Sequence, residues 1–473
     1  MRTMRMMTEP QPLLIGGEWI TTSSVVDIRL PYDGSLAGRV CFGSAEDAAR
    51  AVESAQRASR QLAEMSNAER SDLLFRLHQV LEPQREDIAR TITLETGKPI
   101  TESRIEAARA METLLAAAIE ARQLAGECVP IDASVAGRGR WAMTLREPRG
   151  VIAAITPFNV PFNLAMHKIA PALGSGNAVV HKPAEQTPLS AAFLARGLAA
   201  VGAPAGAYNL IPGPGPIVGQ ALVNHPGVAM VTFTGSVAVG KAIKAAAGLK
   251  KVTLELGGNS AVIVDEDADL DLAAARCATG AFSNSGQLCI SVQRIYAPEP
   301  VMAGLRARLA DRIASWRIGH PLEEETAISS LISEEAAIRV AAWIDEVAPG
   351  LAQRRGATVV PVMLAEPLAS ARLSCQEVFG PVVATYRYSR WEDAIQAANA
   401  TPYGLQAGVF TRDIGRAFEA ARKLRVGGVI INDIPTFRAD PMPYGGVKES
   451  GEGREGPRYA MQEMTETKLI VWR

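Results

Sequence analysis

Val151-Ile152-Ala153-Ala154-Ile155-Thr156-Pro157-Phe158-Asn159 is the stretch on which the fold turns, an apolar strand that stops at a Thr-Pro pair. Around it, strand and helix patterns alternate through residues 150–265. Helical spacing covers 163–173, 188–201 and 217–224, and strand runs fall at 178–181, 208–211 and 230–233. This is the grammar of a parallel sheet with right-handed crossovers, so the expected class is α/β. In such sheets ligands lie beyond the carboxyl ends of the strands. Those ends carry Thr156-Pro157-Phe158-Asn159, His181-Lys182-Pro183-Ala184-Glu185 and Thr234-Gly235-Ser236.

The rest of the chain sorts into further units. Residues 1–43 read as short strands and turns, and Ser44 with Asp47 reads as a capping box opening a helix to about residue 65. Helices are expected over 68–95 and 101–124, interrupted by Gly97-Lys98-Pro99. A second alternating region spans 258–428. Residues 128–149 read as a hairpin and 467–473 as a strand, and the two are expected to form one small sheet whose open edges suit another subunit.

At 473 residues the chain is long enough for more than one domain. A formal net charge of -1 gives no electrostatic case for nucleic acid or a membrane surface. Cys41, Cys128, Cys277, Cys289 and Cys375 form no CxxC pair and no cluster with histidine at metal spacing, so no metal site is expected and a reducing compartment is. Without a signal-length apolar run or a membrane-length one, a soluble cytoplasmic protein is expected.

Chemistry is expected to converge on Phe282-Ser-Asn-Ser-Gly-Gln-Leu-Cys289, a small polar turn delivered by an alanine-rich helix over 269–281. Cys289 is the candidate nucleophile, although a cysteine taken at random is more often a buried structural thiol. Phe233, Gly235 and Ser236 end a strand and open a helix with Val239, Ile243 and Ala246 as its apolar face, a start that suits phosphate. Gly215 and Gly219 offer a second glycine cluster, and neither has GxGxxG spacing. Lys182 and Glu185 suit the two hydroxyls of a ribose, or a surface ion pair. Glu255, between leucines, is a candidate general base or a solvated strand residue. Asn159 is a candidate oxyanion donor or a turn residue.

Together the motifs Pro157-Phe158-Asn159, Lys182-Pro183-Ala184-Glu185, Phe233-Thr234-Gly235-Ser236, Leu254-Glu255-Leu256-Gly257-Gly258, Gly286-Gln287-Leu288-Cys289, Glu377-Val378-Phe379-Gly380-Pro381 and Pro443-Tyr444-Gly445-Gly446 resemble the NAD(P)-dependent aldehyde dehydrogenase superfamily, in its order and over nearly the whole chain. The resemblance implies a Rossmann-type NAD-binding domain (1–127 and 149–257), a catalytic α/β domain (258–448) and oligomerisation segments (128–148 and 449–473) of a homodimer or homotetramer. It implies that Cys289 attacks an aldehyde, that Asn159 and the Cys289 N–H hold the oxyanion, and that Glu255 activates water on the thioester. Thr156, Pro157, Phe158, Lys182, Glu185, Gly215, Gly219, Phe233, Gly235, Ser236, Leu256, Glu377 and Phe379 are implied around the cofactor. A carboxylate at Glu185 favours NAD, with NADP possible.

Departures from the family pattern bear on the substrate. His167 stands where many relatives have tryptophan, and Phe437, Arg438 and Tyr444 are expected at the entrance, with Arg438 paired to an anionic tail or to Asp440. The face Ser103, Glu106, Ala107 and Ala110 is a further expected tunnel wall. The pattern is similar to the branch that handles small polar aldehydes such as lactaldehyde, phosphonoacetaldehyde and succinate semialdehyde. Coenzyme A-acylating or reductive NADP-linked chemistry and a non-catalytic binding role are the alternatives, and Glu255 favours a free acid as product.

Overall fold

A computed structural model of the chain describes residues 9–473, and two sheets meet in it at the segment 255–260. The first sheet has eight strands, ordered Glu18–Ile20, Leu13–Ile15, Tyr208–Leu210, Ala178–Lys182, Val151–Ile155, Met230–Thr234, Lys251–Glu255 and Gly451–Glu452. The five from Tyr208–Leu210 to Lys251–Glu255 are parallel. Numbered along the chain, those five run 3-2-1-4-5. The order therefore reverses between Val151–Ile155 and Met230–Thr234, and the crevice at such a reversal is where ligands sit in doubly wound sheets.

The second sheet has six parallel strands, ordered Val362–Ala365, Val382–Tyr388, Val292–Pro298, Ser260–Val264, Gln406–Phe410 and Gly428–Ile431. The strands on either side of the junction, Lys251–Glu255 and Ser260–Val264, are almost wholly buried, as sheets covered on both faces require. Two eight-residue antiparallel strands, Thr465–Trp472 and Trp141–Pro148, with the two-residue Cys128–Val129, form a separate sheet with an open edge.

Several local expectations are modified by packing. The capping box of Ser44 and Asp47 opens the helix Ala45–Glu64. The helix expected over 68–95 is two, Asn67–Leu81 and Arg85–Thr96, because Pro83 in the turn Glu82–Gln84 has no N–H to continue the ladder. Val239 and Ala246 face solvent instead of the core. A side chain at Gly240 would collide with Leu256, so the helix Val237–Ala246 seats its Gly240 and Ile243 side on the sheet. Its Lys241 and Lys244 pair with Glu449 and Glu452.

The chain beyond 449 does not all join the small sheet. Gly451–Glu452 pairs with the Lys251–Glu255 strand, and the helix Pro457–Glu463 packs on the helices Ile100–Gln123 and Pro161–Gly174. Only Thr465–Trp472 enters the small sheet. Among the described residues no helix is long and apolar enough to cross a membrane. Residues 1–8 of the expected first strands lie outside the described residues.

Candidate active site

Helix and turn deliver Cys289 as two separate devices. Asp269 caps the helix Leu270–Phe282 by accepting from Leu272 N–H at 3.0 Å. After Phe282 the backbone turns left-handed for three residues in a row, Asn284 (φ 50°), Ser285 (φ 53°) and Gly286 (φ 75°). At Gly286 a side chain would also strike the Gly380 carbonyl, so glycine is required twice over. Two left-handed non-glycine residues cost free energy, and the surroundings hold them. Glu102 accepts from the Asn284 N–H at 2.6 Å, Ser285 Oγ donates to the Ser329 carbonyl at 3.0 Å, and Gln287 Oε1 accepts from Ile332 N–H at 2.9 Å.

Asn159 is tied to that turn. Its amide donates to the Gln287 carbonyl at 2.8 Å, and its own carbonyl accepts from Asn284 Nδ2 at 3.1 Å. An amide nitrogen has two N–H groups, so one remains for an oxyanion. The helix Pro161–Gly174 that follows is capped by Glu106, whose carboxylate accepts from Phe162 N–H at 2.9 Å and Asn163 N–H at 3.2 Å while it pairs with Lys98. Ser103, Glu106, Ala107 and Ala110 are therefore buried packing residues, not the tunnel wall expected of them.

Glu255 is buried, and neither carboxylate oxygen has a hydrogen-bond partner among the described residues. Burial raises its pKa well above the usual carboxylate value, and the negative charge of Glu455 adds to the effect. A methyl group on Gly445 would lie 2.9 Å from Glu255 Oε1, and the neighbouring Tyr444 hydroxyl lies 3.1 Å from Cys289 Sγ. Tyr444-Gly445 thus stands between carboxylate and thiol. Burial pushes the Cys289 thiol up to about 12, the Tyr444 hydrogen bond opposing it. Gly258 closes the site from behind, since a side chain there would collide with the Cys289 carbonyl.

A second group of residues lines the strand ends. Glu185 Oε1 accepts from Gly215 N–H at 2.7 Å, and Gly219 has Lys182 Cδ 3.8 Å from where its side chain would begin. Lys182 donates to the Pro183 carbonyl at 3.1 Å, and no ion pair joins it to Glu185. The surface-pair alternative fails because Lys182 is buried. Thr156 shares a 2.9 Å hydrogen bond with His181, which burial depresses to about 3 and so keeps neutral. Ser236 caps the helix after Phe233-Thr234-Gly235. Across the junction Glu377 Oε1 accepts from Gly258 N–H at 2.9 Å, with burial raising its pKa to about 7, and Phe379 meets Phe158 edge-to-face at 5.8 Å.

The entrance departs most from expectation. Arg438 does not pair with Asp440. Its side chain is only 7% exposed, bonded to Glu455 Oε2 at 3.1 Å and stacked 3.8 Å above the Tyr444 ring. Asp440 instead takes a two-point bond from Arg109 (2.9 and 3.2 Å) and a 2.9 Å bond with His167 Nε2. Although burial works the other way, these partners hold Asp440 well below the usual carboxylate range. His167 is 0% exposed and burial lowers it to about 4, so it supports Asp440 and does not line a funnel. Phe437 is exposed beside them. Lys168 pairs with the other Glu455 oxygen at 2.5 Å. Sequence reading did not single out Arg109, Glu455 or Glu102. Arg109 sits one helical turn after Glu106, but Glu455 follows no local pattern and only the fold brings it in.

Residues 19–470 match the aldehyde dehydrogenase family model. This chain belongs to the aldehyde dehydrogenase family. It is 42% identical over 465 residues to the 3-sulfolactaldehyde dehydrogenase of Priestia megaterium, with 97% of each chain covered. It is 38% identical to the lactaldehyde dehydrogenase of Methanococcus aeolicus, over 97% of this chain and 99% of that one. The NADP-dependent glyceraldehyde-3-phosphate dehydrogenase from Bacillus halodurans, solved with NADP, superposes with a TM-score of 0.95 at 35% identity, covering 98% of this chain and 99% of the other. As an aldehyde dehydrogenase the chain is an oxidoreductase acting on aldehydes.

Proposed function

We propose that this aldehyde dehydrogenase oxidises a small polar or anionic aldehyde to the free acid with NAD, NADP being the weaker acceptor, through an acyl group carried on Cys289. The observation that carries the reading is the junction itself: a thiol and an unpartnered buried carboxylate on either side of Tyr444-Gly445, with Asn159 tied to the turn that delivers the thiol. Those are the three groups that addition, oxyanion stabilisation and hydrolysis require.

The dinucleotide, when bound, supplies the acceptor for the hydride of the aldehyde carbon. The residues fit it. Lys182 and Glu185, with Gly215 and Gly219 beside them, suit the adenosine ribose, and the helix start at Ser236 suits phosphate. Glu377 and Phe379 suit the other end. Relatives with NADP in this fold support a nicotinamide dinucleotide, and the Glu185 carboxylate would repel a 2′-phosphate.

Cys289 adds to the carbonyl, and the second Asn159 N–H and the Cys289 N–H receive the negative oxygen. After oxidation of the carbon a thioester remains on Cys289. Glu255, whose raised pKa makes it a stronger base than an ordinary carboxylate, removes a proton from water as it attacks the thioester, and the thiolate leaves.

Substrate polarity is read from Arg109. Its side chain is 30% exposed, whereas Arg438 is enclosed by Glu455 and Tyr444. Arg109 is therefore the cation that meets a sulfonate or carboxylate tail, in keeping with the sulfolactaldehyde-named relative. The small sheet leaves Trp141 78% exposed, with Leu469 and Trp472 also open, which supports a dimer or tetramer built across its edge. Residues 1–127 and 149–257 are assigned to the cofactor domain and 258–448 to the catalytic one, in a cytoplasmic enzyme.

The test is reduced-cofactor formation with 3-sulfolactaldehyde, lactaldehyde and propionaldehyde. Arg109→Ala is expected to raise KM for the sulfonate about tenfold or more and leave propionaldehyde within twofold. Equal effects on all three would remove Arg109 from specificity, and no oxidation of any with NAD or NADP would overturn the reading.

A further inference from the structure

Among the described residues the Tyr444 hydroxyl has one polar partner, and that partner is the sulfur of Cys289, 3.1 Å away. The phenol is buried, with no water-facing alternative. Over the face of the Tyr444 ring the Arg438 guanidinium lies 3.8 Å from the centroid, and Glu455 fixes it there at 3.1 Å while Lys168 fixes Glu455. Lys168, Glu455, Arg438, Tyr444 and Cys289 thus form an unbroken series of contacts that ends on the reacting atom. A cation over an aromatic face draws electron density from the ring and makes its O–H a better donor.

Resting on the reading of Cys289 as nucleophile, we propose that Tyr444 is a further catalytic residue, whose O–H stabilises the Cys289 thiolate before attack and when the thioester breaks. Arg438 is then a positioning residue that acts through the Tyr444 ring, not the anion anchor its place in the sequence suggests. The phenol keeps its proton throughout. The proton of Cys289 leaves to solvent before attack, and the O–H of Tyr444 turns toward the sulfur lone pair that is left. When the C–S bond forms, the charge moves to the carbonyl oxygen and the hydrogen bond weakens. When the bond breaks after attack by water, the departing sulfur regains it. Burial holds the Tyr444 phenol well above its ordinary pKa, consistent with a group that donates and does not ionise.

Thiolate formation can be read without turnover. The full-length enzyme is alkylated with iodoacetamide across a pH series and the modification of Cys289 is followed by mass spectrometry. Tyr444→Phe removes one oxygen and keeps the packing. Because a hydrogen bond to a charged sulfur is lost, alkylation of this variant at pH 8 is expected to slow about tenfold or more. Dinucleotide binding should be unchanged. Superimposable alkylation profiles would overturn the assignment.

Arg438→Lys keeps the charge near Cys289 but loses the planar stack. Its alkylation should slow severalfold when Tyr444 is present and scarcely at all in the Tyr444→Phe background. Equal slowing in both backgrounds would mean a direct charge effect and overturn the positioning role. These outcomes are separable from the parent reading, which fails if Cys289→Ala still turns over.

Discussion

The rim of the eight-stranded sheet and the turn that carries Cys289, the two halves of the proposed site, are built in opposite ways. At the rim, Thr156, Lys182 and Glu255 leave the ends of regular, buried parallel strands, so a short strand places each of them. In the turn, three consecutive left-handed residues must be held against their backbone preference, and segments from three other parts of the chain do so through Glu102, through Asn159, and through Ser329 with Ile332. The groups proposed to bind, and the proposed base Glu255, sit on rigid strand ends. The proposed nucleophile needs its sulfur aimed, and it is fixed by long-range contacts.

The largest effect that separates the two regions is expected from Cys289→Ala, which should lower turnover by about four orders of magnitude or more and leave dinucleotide affinity within a factor of two. Retained oxidation would end the proposed division of labour. Gly286→Ala comes next, because it forces a side chain into a left-handed position already filled by the Gly380 carbonyl. A displaced nucleophile should cost about a hundredfold in kcat with little change in KM for the dinucleotide. If kcat survives, the turn is not the precise element described. The smallest effect is predicted for Lys182→Gln at the rim. Loss of one charge-assisted contact should weaken dinucleotide binding about tenfold, measured by fluorescence titration, with kcat at saturation preserved. A fall in kcat instead would join rim and turn into one unit.

This difference also governs what could be read from sequence. Apolar runs such as 151–155 and 230–234 announce buried strands, and the strand ends then name Thr156, Lys182 and Glu255 without further help. Cys289 was visible as the end of a polar, glycine-containing turn. What held the turn was not, because Glu102 and Asn284 are 182 positions apart. The exchange of partners at the entrance was hidden for the same reason. Asp440, two residues from Arg438, is the obvious local partner, yet Arg109 reaches it from 331 positions away and Glu455 captures Arg438. Val239 misled in a smaller way, since helical spacing shows an apolar stripe but not that Gly240 is the position against which Leu256 packs.

The measurement closest to the central claim is intact-mass and peptide analysis of Glu255→Gln mixed with dinucleotide and aldehyde, quenched in acid over time. In the proposed mechanism Glu255 works only once it has lost its proton, so its raised pKa predicts a steady rate that climbs with pH above the ordinary carboxylate range. The variant should lose that climb, release a burst of about one reduced cofactor per site, and hold an acyl group on the Cys289 peptide that hydrolyses about a hundredfold or more slower than native turnover. A normal steady rate with no acylated Cys289, or an adduct on another residue, would contradict the account.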